Sequence, residues 1–116
     1  MKHFVVEATY CAPIERVREA YPRHRAWLQK GYDRGLFLCS GPKNPPTGGY
    51  LVARAASMEI LNRMFEEEPL NVEKLATFTF TEFEPVKRQP WTENWFTETG
   101  DVEEEGESSV ARVMPP

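Results

Sequence analysis

Cysteine is scarce in this chain, with Cys11 and Cys39 the two examples among 116 residues. Their spacing fits no metal-ligand pattern and both lie at or near the ends of apolar runs, so the sequence predicts buried free thiols, with no disulfide and no zinc site. Long hydrophobic runs are missing too. Nothing approaches the roughly 18 apolar residues that cross a bilayer, and Met1-Lys2-His3-Phe4-Val5-Val6-Glu7 is charged too soon for a secretory leader. The expectation is a cytoplasmic protein without membrane contact. A basic excess is also lacking: residues 1–84 carry 11 Lys and Arg against 11 Asp and Glu, while residues 85–116 carry 3 against 7. The net charge of −4 therefore resides in the C-terminal part. A neutral body is poorly suited to a phosphate backbone, which argues against a nucleic-acid partner. Arg16, Arg18, Arg23, Arg25, Lys30 and Arg34 do gather in one region, but Glu15, Glu19 and Asp33 among them make it a solvated helix face. No nucleotide, flavin, haem or metal motif occurs, so no cofactor is expected.

Histidine is as rare as cysteine, and His24 stands in the best punctuated stretch of the chain, Pro22 to Gly35. Pro22 suits the first turn of a helix, where its missing N–H leaves nothing unsatisfied, and Gly35 suits the left-handed position just past a helix end. The spacing predicts a main helix over 22–34. A short helical turn over 14–20 precedes it, with a break at Tyr21, because a residue before proline is disfavoured in the α conformation. His24, Leu28 and Tyr32 recur every fourth residue, so the imidazole points with the apolar stripe while Arg23, Arg25 and Lys30 point elsewhere. Two readings of His24 follow from its place on the helix: the ring satisfies a backbone group beneath it, or it does chemistry.

Elsewhere the pattern alternates between strand and helix. His3 to Tyr10 is β-branched and aromatic and reads as a strand. Leu36-Phe37-Leu38-Cys39-Ser40 is a compact apolar run that predicts a strand buried on both faces, and the segment from Gly41 to Gly49, with its prolines, reads as a loop. Tyr50 to Ala55 is a third strand. Ser57 is placed to cap a second helix in which Met58, Leu61, Met64 and Phe65 form a core stripe and which Pro69 terminates. Leu75 to Phe83 alternates strictly, with Phe78 and Phe80 on one face and Thr77, Thr79 and Thr81 on the other. The order strand, helix, strand, strand, helix, strand is the split βαβ pattern of a ferredoxin-like α+β fold with a four-stranded antiparallel sheet. Both helices cover one sheet face. The threonine-lined second face calls for a partner, and a homodimer whose sheets enclose a partly polar cavity meets that need.

Over residues 1–84 the chain resembles the YciI-like (YCII-related) proteins, which form dimeric α+β barrels. The resemblance rests on the first strand, on an Arg-x-x-His-type helix start written here Tyr21-Pro22-Arg23-His24, on Leu36-Phe37-Leu38-Cys39-Ser40-Gly41-Pro42, and on an acidic residue before a proline after the second helix. It implies a His–Asp-type pair, here His24 with Glu68, where the family's Asp-Pro-Phe-like run reads Glu68-Pro69-Leu70. One branch of the family removes chloride from a chlorinated hydroxyhydroquinone.

The residues around that acid admit two readings of their own. Glu66, Glu67 and Glu68 at a helix C-terminus meet the negative end of the macrodipole, at about 0.3–1 kcal/mol each. They form a solvated acidic cap, or one turns inward and accepts a hydrogen bond from His24, fixing its tautomer for general-base work. Arg54 reads first as an edge charge that discourages aggregation and second as a cavity group for an anionic substrate. Substrate-binding candidates are therefore Arg54, Gly41, Pro42 and Thr79, beside the catalytic candidates His24 and Glu68. His3 shares a strand face with Glu7, and exposure or pairing with that acid are its two readings. Residues 85–116 form a C-terminal extension: Trp91, Trp95 and Phe96 in segment 91–96 are expected to pack on the body or across the dimer, and the acidic segment 98–107 to be solvated. The resulting expectation is a small cofactor-independent enzyme, a lyase or isomerase acting on a hydroxylated metabolite, aromatic or not, with His24 as base. The alternative is a non-catalytic small-molecule-binding or interaction module on the same dimeric barrel.

Overall fold

Alternation along the strands decides where the core lies. Phe4, Val6, Ala8 and Tyr10 share one face of the first strand, in register with Ala53 and Leu51 of the third, while His3, Val5 and Glu7 take the opposite face. The computed structural model describes residues 1–98. Its elements are β1 (Lys2–Tyr10), α1 (Ile14–Asp33), β2 (Phe37–Pro42), β3 (Gly48–Ala55), α2 (Met58–Phe65), α3 (Pro69–Val72) and β4 (Ala76–Phe83), followed by a 3-10 turn (Pro90–Thr92) and α4 (Glu93–Thr97). The strands pair antiparallel in the order β2-β3-β1-β4, the ferredoxin-like arrangement. Phe4, Val6, Leu51, Ala53, Leu61 and Phe65 are buried between the sheet and the helices. Thr77, Thr79 and Thr81 are exposed on the other face, as the alternation predicts.

Four local expectations are corrected. The helix over 14–33 is continuous and Pro22 lies inside it, with no break at Tyr21. Pro22 forfeits one main-chain bond, to the carbonyl of Arg18, but Val17, Ala20, His24, Leu28 and Gly31 hold one helical face against the sheet along the whole length. Gly35 does close the helix, at φ 73° with its N–H on Tyr32 O. Secondly, β2 is an edge strand, so it is buried at Phe37 and exposed from Cys39 onward. Gly41 and Pro42 continue it, opposite Tyr50 and Gly49, since a proline without an N–H is tolerated on an outer edge. Thirdly, Cys11 and Cys39 are both exposed: Cys39 faces away from the helices in register with Val52, and Cys11 follows the end of β1. Fourthly, α2 stops at Phe65 and Pro69 begins α3 in place of ending a helix. Proline is favoured at a first helical position, which puts Glu68 at the N-terminal end of α3 and leaves Glu66 and Glu67 exposed behind α2.

The segment after β4 turns back onto the sheet. Trp95 is buried, and its indole Nε1–H donates to Gly35 O at 3.0 Å. Trp91 is 79% exposed, because it sits in the 3-10 turn and not on α4 with Trp95. His3 is also buried, its ring 5.7 Å from that of Trp95 and 5.1 Å from that of Phe96. Neither expected state of His3 holds: Glu7 instead meets Lys43 at 2.8 Å and the Tyr50 hydroxyl at 3.3 Å. The acidic run from Asp101 to Glu107 lies outside the described residues.

Candidate active site

Helix α1 crosses the sheet so that Tyr21, His24, Arg25 and Leu28 look onto a cavity of about 320 Å³ between the helix and the sheet. Its floor includes Val6, Ala8 and Tyr10 of β1 with Leu51 of β3 and Phe78 of β4. Trp27 and Phe65, with ring centroids 4.9 Å apart, add aromatic wall. At the far rim Gly48 lies so close to β1 that a Cβ there would meet Ala8 O at 1.9 Å. Only glycine fits there.

Glu68 is brought to His24 by its neighbour in sequence. A residue before proline is held extended, and Glu68, at φ −68° and ψ 125°, serves as the N-cap of α3. Its Oε1 accepts the Asn71 N–H at 3.2 Å, and its Oε2 accepts from His24 Nδ1. The carboxylate is fully buried, which requires both oxygens to be partnered, and both are. On the surface Arg23 reaches Glu73 at 2.7 Å and ties α1 to the end of α3. A pair so exposed contributes about 0.2–1 kcal/mol, enough to bias position but little more. With Nδ1–H given to Glu68, the His24 tautomer leaves the Nε2 lone pair to whatever fills the cavity. The His24 side chain is 22% exposed and lines the cavity, so the ring is not sealed off from a ligand there.

A second polar pair lies beside the first. The Tyr10 and Tyr21 hydroxyls are 2.8 Å apart, and the Tyr21 and His24 ring centroids are 6.1 Å apart. Burial raises the Tyr10 pKa well above the ordinary phenol value, and the bond to Tyr21 and the charge of Glu68 push the same way. Across the cavity, Ser40 owes its direction to a bulge: the register passes from Phe37 opposite Ala53 to Cys39 opposite Val52, so Leu38 is the extra residue. Ser40 is thereby turned to the helix side, where its Oγ meets the Tyr32 hydroxyl at 2.7 Å.

The structure thus unites His24 with Glu68 and sets Gly41 and Pro42 on the cavity rim. Arg54 and Thr79 lie elsewhere. Thr79 is exposed on the opposite sheet face, in register with Glu7. Arg54 is no edge charge, since β3 is an inner strand; fully buried, it donates to Gly35 O at 2.8 Å and Trp95 O at 2.6 Å, its guanidinium 4.9 Å from the Trp95 ring centroid. Sequence reasoning missed Tyr10, Tyr21 and Arg25. The signal was available in Tyr21, three residues before His24 on one helix face, and in Tyr10, last in the row Phe4, Val6, Ala8. Among the described residues no three His, Cys, Asp or Glu side chains converge to hold a metal ion, and no helix is long and apolar enough to cross a membrane.

An antiparallel sheet in this order, covered on one face by helices and carrying a histidine–carboxylate pair at the seam between α1 and α3, defines a ferredoxin-like α+β protein with an acid–base site candidate. The chain belongs to the YCII-related domain family, which matches residues 1–83. Among solved structures it is similar to 5-chloro-2-hydroxyhydroquinone dehydrochlorinase from Burkholderia phenoliruptrix AC1100, in complex with 2,5-dihydroxybenzoquinone. The identity is 18% and the TM-score 0.61, over 70% of this chain and 92% of that one, a likeness of fold. No curated protein matches the chain in sequence.

Proposed function

We propose that this protein is a cofactor-independent enzyme of the YciI-like type, a lyase or isomerase acting on a hydroxylated aromatic metabolite with His24 as general base. The observation that carries the reading is the His24–Glu68 pair opening on an aromatic-walled cavity of about 320 Å³, at the low end of the size usual for small-molecule sites. The similar fold of a dehydrochlorinase crystallised with a dihydroxyquinone supports a ring-shaped substrate. In the proposed step Nε2 takes the proton of a ring hydroxyl: the O–H bond breaks, an Nε2–H bond forms, and Glu68 stabilises the imidazolium through Nδ1–H. The electron pair left on oxygen enters the ring. A ring carbon takes up a proton with that pair, which completes an isomerisation; where that carbon also bears a leaving group, loss of the proton of a second ring hydroxyl then drives the group out with its bonding pair and leaves a quinone.

The test is chloride release from 5-chloro-2-hydroxyhydroquinone and related chlorinated quinols by wild type and by His24→Gln. Loss of a positioned general base should lower turnover about 10²- to 10⁴-fold with the melting temperature retained. Equal turnover in both proteins would remove His24 from the reaction. Tight binding with no turnover in either would leave a binding module on the same fold.

The open sheet face belongs to this proposal as well, as the surface on which two copies pair, since Tyr50 there is 49% exposed and Val5 and Val52 stand between exposed threonine and cysteine residues. A cytoplasmic setting is the third part, supported by two exposed free thiols, which a reducing compartment preserves.

A further inference from the structure

The hydroxyl pair Tyr10–Tyr21 is not absorbed by the histidine–carboxylate chemistry, yet it stands on the same wall. Tyr10 ends the helix-facing row of β1 and Tyr21 lies one turn before His24 on α1, so both rings line the cavity. Two phenols bring two protons, and their mutual bond at 2.8 Å consumes one. Neither hydroxyl has another hydrogen-bond partner among the described residues. One O–H is therefore left for a third oxygen. It is also the stronger donor of the two, because an O–H whose oxygen already accepts a hydrogen bond is polarised by it. The Arg25 guanidinium, 5.7 Å from the centre of the Tyr21 ring and itself part of the lining, adds positive potential at this wall.

We propose that Tyr10 and Tyr21 form the oxyanion-binding element of the cavity, their unspent proton bonding the ring oxygen on which negative charge develops. This rests on the reading of His24 as base, and it narrows the ligand class to phenols and hydroxyquinones, in preference to unsubstituted or alkylated rings. The raised pKa of Tyr10 fits the role: a phenol that keeps its proton across the working range is a donor and not a competing base. The energetics decide in favour of a specificity role. A hydrogen bond to an ionised oxygen is about twice as strong as one between neutral groups, and a buried donor left unpaired by the wrong ligand is penalised as well. A ring lacking oxygen is rejected on both counts.

The probe is 4-nitrophenol, whose yellow phenolate reports ionisation directly, with 4-nitrotoluene as the isosteric ring without the oxygen. Both are titrated into wild type, Tyr10→Phe, Tyr21→Phe, the double variant and His24→Gln, at a pH where free 4-nitrophenol is mostly neutral. Wild type should prefer 4-nitrophenol and shift it toward phenolate on binding. The double variant should lose affinity for 4-nitrophenol on the order of 10- to 100-fold while binding 4-nitrotoluene unchanged. Either single variant should lose part of this, which keeps the test open should the double variant fail to fold. His24→Gln should lose the phenolate signal but keep the preference for 4-nitrophenol. A preference unchanged in the double variant, or in both single variants, or absent from wild type, would overturn the proposal. Loss of the phenolate signal in His24→Gln alone would then leave the base reading standing. Conversely, a phenolate signal that survives in His24→Gln but disappears with the tyrosines would support this pair and overturn His24 as base.

Discussion

His3 and His24 differ in what their second nitrogens meet. His24 has a carboxylate at Nδ1 and a cavity before Nε2, whereas His3 Nε2 is buried without a hydrogen-bond partner. Burial lowers the His3 pKa below its ordinary 6.5, and the N-terminal ammonium, Arg54 and Arg88 lower it further. The folded state therefore holds His3 neutral while the unfolded chain still takes up a proton. Stability from this site is complete above the unfolded value of about 6.5 and declines as pH falls toward the depressed folded one. Urea midpoints measured between about pH 8 and pH 5 should fall for wild type and fall less for His3→Phe; parallel curves would clear His3 of the effect. Single residues were legible where local chemistry fixes them. His24 was readable from its apolar helix stripe, and Glu68 through the family resemblance. Arg54 was misread because edge and centre depend on strand order, which no local pattern around residues 50–55 contains.

Helix α1 shows how one local rule yields to packing. The restriction before proline predicts a break at Tyr21, but the stripe Val17, Ala20, His24, Leu28, Gly31 keeps one period across it, and the helix follows the stripe. Gly31 carries a packing constraint of the same kind: a Cβ there would come within 2.0 Å of the Phe37 ring. Pro22 is thus a residual penalty inside a helix whose position is set by tertiary contact. Replacing it with alanine restores the N–H that Arg18 O lacks. A gain of roughly 3 kcal/mol from removing an interior proline is partly offset by the extra freedom of the unfolded chain, so Pro22→Ala is expected to be more stable by about 1–2 kcal/mol in chemical denaturation. An unchanged or lower midpoint would mean that this turn needs proline's fixed φ. The run Glu66 to Pro69 shows the opposite case. Read as the end of one helix it suggested acids at an unfavourable pole; the structure splits it, α2 ending at Phe65 and Pro69 opening α3 with Glu68 as its cap. The bulge at Leu38, which turns Ser40 toward the cavity, has no glycine or proline signal of its own, so the strand was legible but its aim was not.

At the scale of the whole molecule, the strand-and-helix order was enough to specify the sheet, but not where its two faces would be used. The His24 cavity lies on the helix-covered side, so the threonine face is not its wall. Part of that second face is already covered, since Trp95 and Phe96 pack on His3 and Arg54 binds Trp95 O, closing the row His3, Arg54, Phe83 from within the same chain. What remains open is the row of Cys39, Val52, Val5 and Thr81 and, beside it, Tyr50, Glu7 and Thr79. A second copy seated there would shield Val5 and Val52 and would shield Cys39, while Cys11, after the end of β1, would stay in water. Sedimentation at micromolar concentration is therefore expected to report twice 13.4 kDa. A bulky thiol reagent should label Cys11 readily and Cys39 slowly. Val52→Asp, a buried charge at the centre of the proposed contact, should yield a folded 13.4 kDa species with both thiols equally reactive. A wild-type monomer whose two cysteines react alike would remove the pairing and leave this face to solvent, with the cavity of each chain complete on its own.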